Sequence, residues 1–327
     1  MSESSEFSEA LGAFFYWHGP ATFFRCPVDP DPRHADVGVI GVPQTGGNMV
    51  ERGQYLGPRA IRNTTMGYRR MHREWRLDPF SLCRINDLGD TPVLRGLNPF
   101  ETLRDIQTAF EPIGAAGTRP LSVGGDHSIT LGILRAIAGP ASPLGEPVAV
   151  VHFDSHTDAY AVDETSGGVE HAATWARLGV DEGLIDGARS VMVGINGPHP
   201  ALHLDDWAHD TYRVITLEEF EDIGLDATIA AIRERVADRP VYLTFDLDVL
   251  DLPWAPAVAD PEVGGFTARE AGKIIRGLRG LNLVGADFVC FIGRKDSEGD
   301  VTALTTAALM HDALTLLAES AAAAPGS

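Results

Sequence analysis

Positive charge is scarce in this chain. Lys and Arg together number 26 against 46 Asp and Glu in 327 residues, a formal charge of −20, and the basic residues form no long run. That balance excludes a nucleic-acid backbone or an anionic membrane surface as principal partner. It favours a small cation as ligand, because a negative field attracts one. Cysteine is scarcer still: Cys26, Cys83 and Cys290 are an odd number at irregular spacing, which makes neither a disulfide framework nor a zinc knuckle and points to a reducing compartment. No apolar stretch is read as reaching the roughly 18 residues of a membrane span. The N-terminus, MSESSEFSEA, is polar and acidic where a signal peptide is basic and then apolar. A cytoplasmic protein is the expectation. Internal repeats and Pro/Gly/Ser-rich linkers are also missing from mid-chain, which leaves one domain over residues 36–319 between an N-terminal arm (1–35) and a frayed tail (320–327).

What is present is alternation. Short β-branched or apolar runs of strand length recur at Val37–Val42, Pro120–Val123, Val148–Phe153, Ser190–Val193, Val241–Phe245 and Leu283–Val289. Between them, Gly57–Arg70, Pro99–Ile113, Ser128–Ala138, Ala227–Val236, Thr267–Leu278 and Val301–Ala318 have the spacing of amphipathic helices. The pattern predicts an α/β fold, a mostly parallel sheet with helices on both faces.

Acidic and imidazole side chains fall just past the ends of three of these strands, the edge where open α/β sheets bind ligands. In LSVGGDHS a strand ends, two glycines permit a tight backbone, and His127 opens the next helix. In VVHFDSHTDAY, Asp154, His156 and Asp158 occupy alternate positions and so share one face of an extended chain. In VYLTFDLDVLD, Asp246 and Asp248 repeat the device. Closely spaced carboxylates at the end of a buried strand repel and are costly to desolvate without a cation between them. Two His and four Asp suit two divalent ions sharing carboxylates. Mixed N/O ligation fits Mn²⁺ and also Ni²⁺, Co²⁺ or Fe²⁺, and it lacks the thiolates of a structural zinc site.

These segments resemble those of the ureohydrolase superfamily, the arginases and especially the agmatinases, over nearly the whole chain after residue 35. The matching stretches are GVPQTGGNMVERGQYLGPRAIR, SVGGDHSITLG, VVHFDSHTDAYA, EHAATW, YLTFDLDVLD with PEVGG, and LNLVGADFV. The resemblance implies a three-layer α/β/α sandwich, assembly into a homotrimer or homohexamer, two metal ions (Mn²⁺ first, Ni²⁺ second), and hydrolysis of a guanidinium to urea and an amine. It implies that His127, Asp154, Asp158 and Asp246 hold one ion and Asp154, His156, Asp246 and Asp248 the other. Asp158 would also relay a proton to the leaving amine, and His171, in an H-A-A that usually reads H-G-T, would shuttle protons or orient substrate.

One departure bears on substrate. The family motif G-x-D-V-V-E-V aligns with Gly285 to Phe291, and Cys290 stands where its guanidinium-binding Glu would be. A thiol removes a charge-assisted bidentate contact of about 1.5–3 kcal/mol. Three explanations follow: a substrate other than agmatine, such as an alkylated guanidine, a biguanide or another amidine; a different acid, Glu170 or Glu262, in the role; or lost catalysis, with the chain a structural subunit beside a paralogue. A formimidoyl hydrolase is a further alternative, with Arg177 or Arg294 meeting a substrate carboxylate. Tyr160, Trp175 and Trp254 are candidates to wall a pocket for an alkyl cation.

Overall fold

The computed structural model describes residues 19–48, 53–67, 70–92, 98–163, 167–199, 202–296 and 299–324. Its strands are β1 (Val37–Val42), β2 (Ile85–Asp90), β3 (Arg119–Gly124), β4 (Ala149–Phe153), β5 (Val191–Ile195), β6 (Arg213–Thr216), β7 (Val241–Asp246) and β8 (Leu283–Val289). They form a single eight-stranded sheet in the order β2-β1-β3-β8-β7-β4-β5-β6, with every pairing parallel. The helices are α1 (Gly57–Thr65), α2 (Pro99–Ala115), α3 (Ile129–Ile137), α4 (Trp175–Asp181), α5 (Leu202–Thr211), α6 (Leu217–Ile223), α7 (Leu225–Val236), α8 (Ala268–Gly277) and α9 (Val301–Ala322).

A parallel sheet covered on both faces needs central strands that are largely apolar, and β1, β4, β5 and β7 are. Successive residues feed opposite layers: Val37 and Val39 join one core cluster and Ile40 and Val42 the other, as do Val151 and Phe153 against Val148 and Val150. One cluster takes in α7, α8 and α9, the other α2, α3 and α4. The result is the three-layer α/β/α sandwich.

Several boundaries differ from expectation. β2 and β6 were not foreseen; both are edge strands, and INDLGD is half polar while RVIT is four residues long. The short α4, α5 and α6 were not foreseen either. α1 stops at Thr65, whose hydroxyl turns back onto the Ile61 carbonyl at 2.8 Å; residues 68–69 of the expected helix lie outside the described ones. α9 continues to Ala322, beyond the Ser320 at which the tail was expected, and the Ser320 hydroxyl bonds the Leu281 carbonyl and the Leu283 amide. By length and composition this helix would suffice to cross a membrane, contrary to the reading that no such stretch exists, but it is mostly buried within the fold. Of the N-terminal arm, residues 1–18 lie outside the described ones, while Phe23, Phe24 and Cys26 are part of the core.

Candidate metal centre

Because all strands run the same way, the segments after β3, β7 and β4 emerge at one edge; in the sheet β3 and β7 flank β8, and β4 lies beside β7. His127 Nδ1 lies 3.0 Å from Asp154 Oδ2, 3.0 Å from Asp158 Oδ2 and 3.1 Å from Asp246 Oδ2. His156 Nδ1 lies 3.2 Å from Asp248 Oδ2 and 3.5 Å from Asp154 Oδ1. Asp154 therefore belongs to both groups. The described residues offer two potential metal clusters that share it: His127, His152, Asp154 and Asp158, and Asp154, His156 and Asp248.

The side chains around His127 settle which of its nitrogens faces the acids. Asp287, buried in β8, accepts from the Thr130, Tyr242 and Thr244 hydroxyls at 2.9, 2.8 and 2.6 Å. Thr244 spends its only proton on Asp287, so its oxygen accepts from His127 Nε2 at 2.8 Å. That bond places the ring proton on Nε2 and leaves the Nδ1 lone pair facing three carboxylates. Nδ1 is buried and makes no well-formed hydrogen bond to them. Ligand atoms at right angles about an ion with bonds of about 2.1 Å lie about 3.0 Å apart, the separation seen here. The donor set fits divalent metal.

Electrostatics agrees. Burial, with Asp246 and Asp154 close by, pushes the Asp248 carboxyl well above its ordinary range. Burial and Asp154 push Asp246 up as well. Burial opposes ionisation of Asp154, but the close imidazoles of His127, His152 and His156 outweigh it and hold that carboxyl well below its usual range. Four carboxylates in one buried space gain most from cations that all of them face.

The centre opens to a cavity of about 580 Å³ lined by His156, Asp158, Tyr160, His171 and residues of the loop after β7, among others. Asp158 adopts a left-handed backbone, φ 49°, which Asp tolerates better than most residues. Its Oδ2 accepts from Trp175 Nε1 at 3.0 Å. His171 caps a short 3₁₀ turn, accepting from the Ala173 amide through Nδ1 at 3.1 Å, which puts the neutral ring's proton on Nε2. Tyr160 is placed by its amide on the Ala173 carbonyl at 2.9 Å.

A family model, the arginase family, matches residues 35–315. The chain belongs to the arginase family. It is 43% identical over 305 residues to a guanidinopropionase of Pseudomonas aeruginosa, covering 93% of each chain. It is 36% identical over 303 residues to the human mitochondrial guanidino acid hydrolase, covering 91% of this chain and 83% of that one. Among solved structures, the proclavaminate amidinohydrolase of Streptomyces clavuligerus superposes with a TM-score of 0.86 at 33% identity, covering 94% of this chain and 99% of that one. As an arginase-family member with these relatives, it is a hydrolase of C–N bonds in linear amidines.

Within this arginase-family site, four residues read from sequence as candidate substrate contacts do not line the cavity. Trp175 is buried, not on the cavity wall; it stacks on His127 at 4.8 Å and holds Asp158, a use of the indole N–H that spacing does not reveal. Glu170 is taken by Arg135, whose fork meets both its oxygens at 2.9 and 3.0 Å. Cys290 is buried with its thiol on Asp246, and burial first, then Asp246 and Asp248, keep the thiol well above its ordinary pKa, hence protonated. Trp254 is half exposed and does not line the cavity. Sequence reasoning missed His152, whose Nε2 contacts Asp154 Oδ2 at 2.8 Å, and the Thr244–Asp287 pair. His152 reads as strand interior; the signal for Asp287 was a carboxylate inside the apolar run of β8.

Proposed function

We propose that this chain is a binuclear-metal amidinohydrolase that cleaves a guanidino or related amidine compound other than agmatine, releasing urea or a substituted urea and an amine. The observation that carries the reading is Asp154, shared between two ligand clusters beneath one cavity. His127, Asp154, Asp158 and Asp246 would hold one ion, and Asp154, His156, Asp246 and Asp248 the other, with Mn²⁺ favoured and Ni²⁺ second. When bound, such a pair supplies Lewis acidity and brings a water's ionisation near neutral pH.

The chain's own groups do the rest. Attack on the central amidine carbon needs a base for the water's proton, and Asp158 faces the cavity with Trp175 fixing its rotamer. The same carboxyl then returns the proton to the departing nitrogen as the C–N bond breaks. His171, with its proton on Nε2, orients the substrate or exchanges that proton with solvent. The Asp246-bound thiol of Cys290 cannot make the carboxylate contact that the resemblance assigns to this position for agmatine, so the amidinium must meet an acid elsewhere in the cavity. A formimino substrate bearing a carboxylate is not favoured: Arg177 lies over Trp207 at 4.8 Å, and neither it nor Arg294 lines the cavity. A silent subunit is not favoured, because all six residues read as ligands are present and five of them fall in the two clusters that share Asp154.

The test is a panel of agmatine, guanidinobutyrate, guanidine, alkylguanidines, biguanides and formimino acids, assayed for urea and amine with the manganese- or nickel-supplied protein. Turnover of a non-agmatine amidine is expected. No turnover of any member, with metal bound, contradicts the reading.

A further inference from the structure

Four carboxylates line the cavity, those of Asp158, Asp205, Asp260 and Glu262, and among its described lining residues there is no Lys or Arg. Asp158 accepts from Trp175, and Asp205 meets His209 at 3.1 Å. The other two come from the β7–α8 loop, separated by Pro261, whose ring restricts the backbone between them. Glu262 Oε1 lies 3.7 Å from His156 Nε2, and His156 in turn faces Asp248, so this carboxylate stands one imidazole away from the ligand cluster. Asp260 Oδ2 accepts from the Asn48 amide at 3.3 Å.

The loop is mounted against the segment that follows β8 and carries Cys290. Val258 and Phe291 form an antiparallel bridge, with the Ile292 amide on the Ala257 carbonyl at 2.8 Å. One step along each chain from that bridge reaches Ala259 and Cys290, both buried in the same core cluster, and the next loop residue is Asp260. On the far side, Asn196 Nδ2 donates to the Val263 carbonyl at 3.1 Å, and the Gly264 amide to Asp251 at 2.9 Å. The two carboxylates are thus held from both sides, at the corner where position 290 lacks one. A separate observation points to a hydrogen-bonding ligand: Thr157 lines the same cavity, is 2% exposed, and has a hydroxyl with no hydrogen-bond partner among the described residues. An amidinium N–H would satisfy it.

We propose that Asp260 and Glu262 hold the amidinium of the substrate in place of a carboxylate at position 290, and that the cavity selects cationic amidines without a carboxylate over guanidino acids. This rests on the hydrolase reading above for the identity of the cavity as the substrate site. A carboxylate-bearing substrate would meet the carboxylates of Asp260 and Glu262 there and no Lys or Arg among the described lining residues, whereas an alkylguanidinium gains planar charge-assisted hydrogen bonds from them.

Butylguanidinium and guanidinobutyrate differ by one carboxylate, and titration calorimetry of each into the full-length protein loaded with manganese separates the cases. Butylguanidinium is expected to bind about tenfold or more tightly than guanidinobutyrate. Glu262→Gln and Asp260→Asn should each weaken butylguanidinium about tenfold, with metal content per chain unchanged. Guanidinobutyrate binding as well as or better than butylguanidinium overturns the proposal on the wild-type chain alone, whatever the variants do. Unchanged butylguanidinium affinity in both variants overturns it too. Failure of the hydrolase reading looks different: no urea from any amidine while the binding preference persists refutes hydrolysis and sustains the clamp.

Discussion

At the residue scale, one imidazole shows how a distant side chain sets a ligand. Asp287 takes the Thr244 proton, Thr244 accepts from His127 Nε2, and Nδ1 is left for a cation. Thr244→Val keeps the shape of the strand and removes the acceptor, so His127 can turn or change tautomer. Metal affinity should fall about 10- to 100-fold, read by titration against a competing chelator, with the circular dichroism spectrum unchanged; unchanged affinity would show that Nε2 does not govern the ligand. Trp175 makes a second case. Trp175→Phe keeps a ring against His127 but deletes the N–H that holds Asp158. A lost hydrogen bond to a charged group costs about 1.5–3 kcal/mol, so kcat should drop about tenfold or more with KM little changed. A fall in kcat/KM that lies wholly in KM would place Trp175 in substrate binding after all.

At the scale of elements, what was legible in the sequence and what was not divides along burial. Central strands such as Val148–Phe153 and Val241–Phe245 announced themselves because both faces are covered and nearly every residue is apolar, His152 and Thr244 being the exceptions. β2 and β6 did not, because as edge strands they carry polar residues: Asn86 and Arg213 are partly exposed, and buried Asp87 is paired with Arg62 at 2.9 Å. The acids after β4 and β7 were legible through period-two spacing at a strand end. The roles of Trp175, Glu170 and Cys290 were not, since partners such as Asp158, Arg135 and Asp246 are brought to them only by the tertiary fold. Helix α9 carries a testable pH dependence. His311 packs on His72 with ring centroids 5.6 Å apart and on Phe24 at 5.9 Å, and its Nε2 lies 3.1 Å from the Arg70 carbonyl. Burial, together with His72 nearby, pushes it below its ordinary 6.5, against the smaller opposing pulls of the Arg70 carbonyl, Asp312 and Asp78. The folded state then binds fewer protons than the unfolded one between the depressed value and 6.5, so this group's stabilisation is present above 6.5 and is lost as pH falls below it. The Tm of the wild type should decline between pH 7.5 and 5.5 by more than that of His311→Gln. Equal declines would show that His311 does not titrate differently on folding.

At the scale of the whole molecule, charge and metal act together. A formal charge of −20 draws cations toward a cavity walled by carboxylates. kcat/KM for a cationic amidine should therefore fall as NaCl is raised from about 0.02 to 0.5 M, where the screening length shrinks from tens of ångströms to a few; a flat salt profile would leave the global field without a role in capture. Ions that bind only the folded chain stabilise it by mass action, so chelation should lower the Tm and destabilise the centre's loops first.

The most direct measurement counts metal in three proteins by elemental analysis: the wild type, His156→Ala and Asp154→Ala. Because His156 touches one cluster and Asp154 both, two ions per chain are expected in the wild type, about one in His156→Ala, and fewer than one in Asp154→Ala. A wild type that holds one ion or none after growth in manganese or nickel, or an Asp154→Ala protein that keeps its full complement, would contradict a shared two-metal centre.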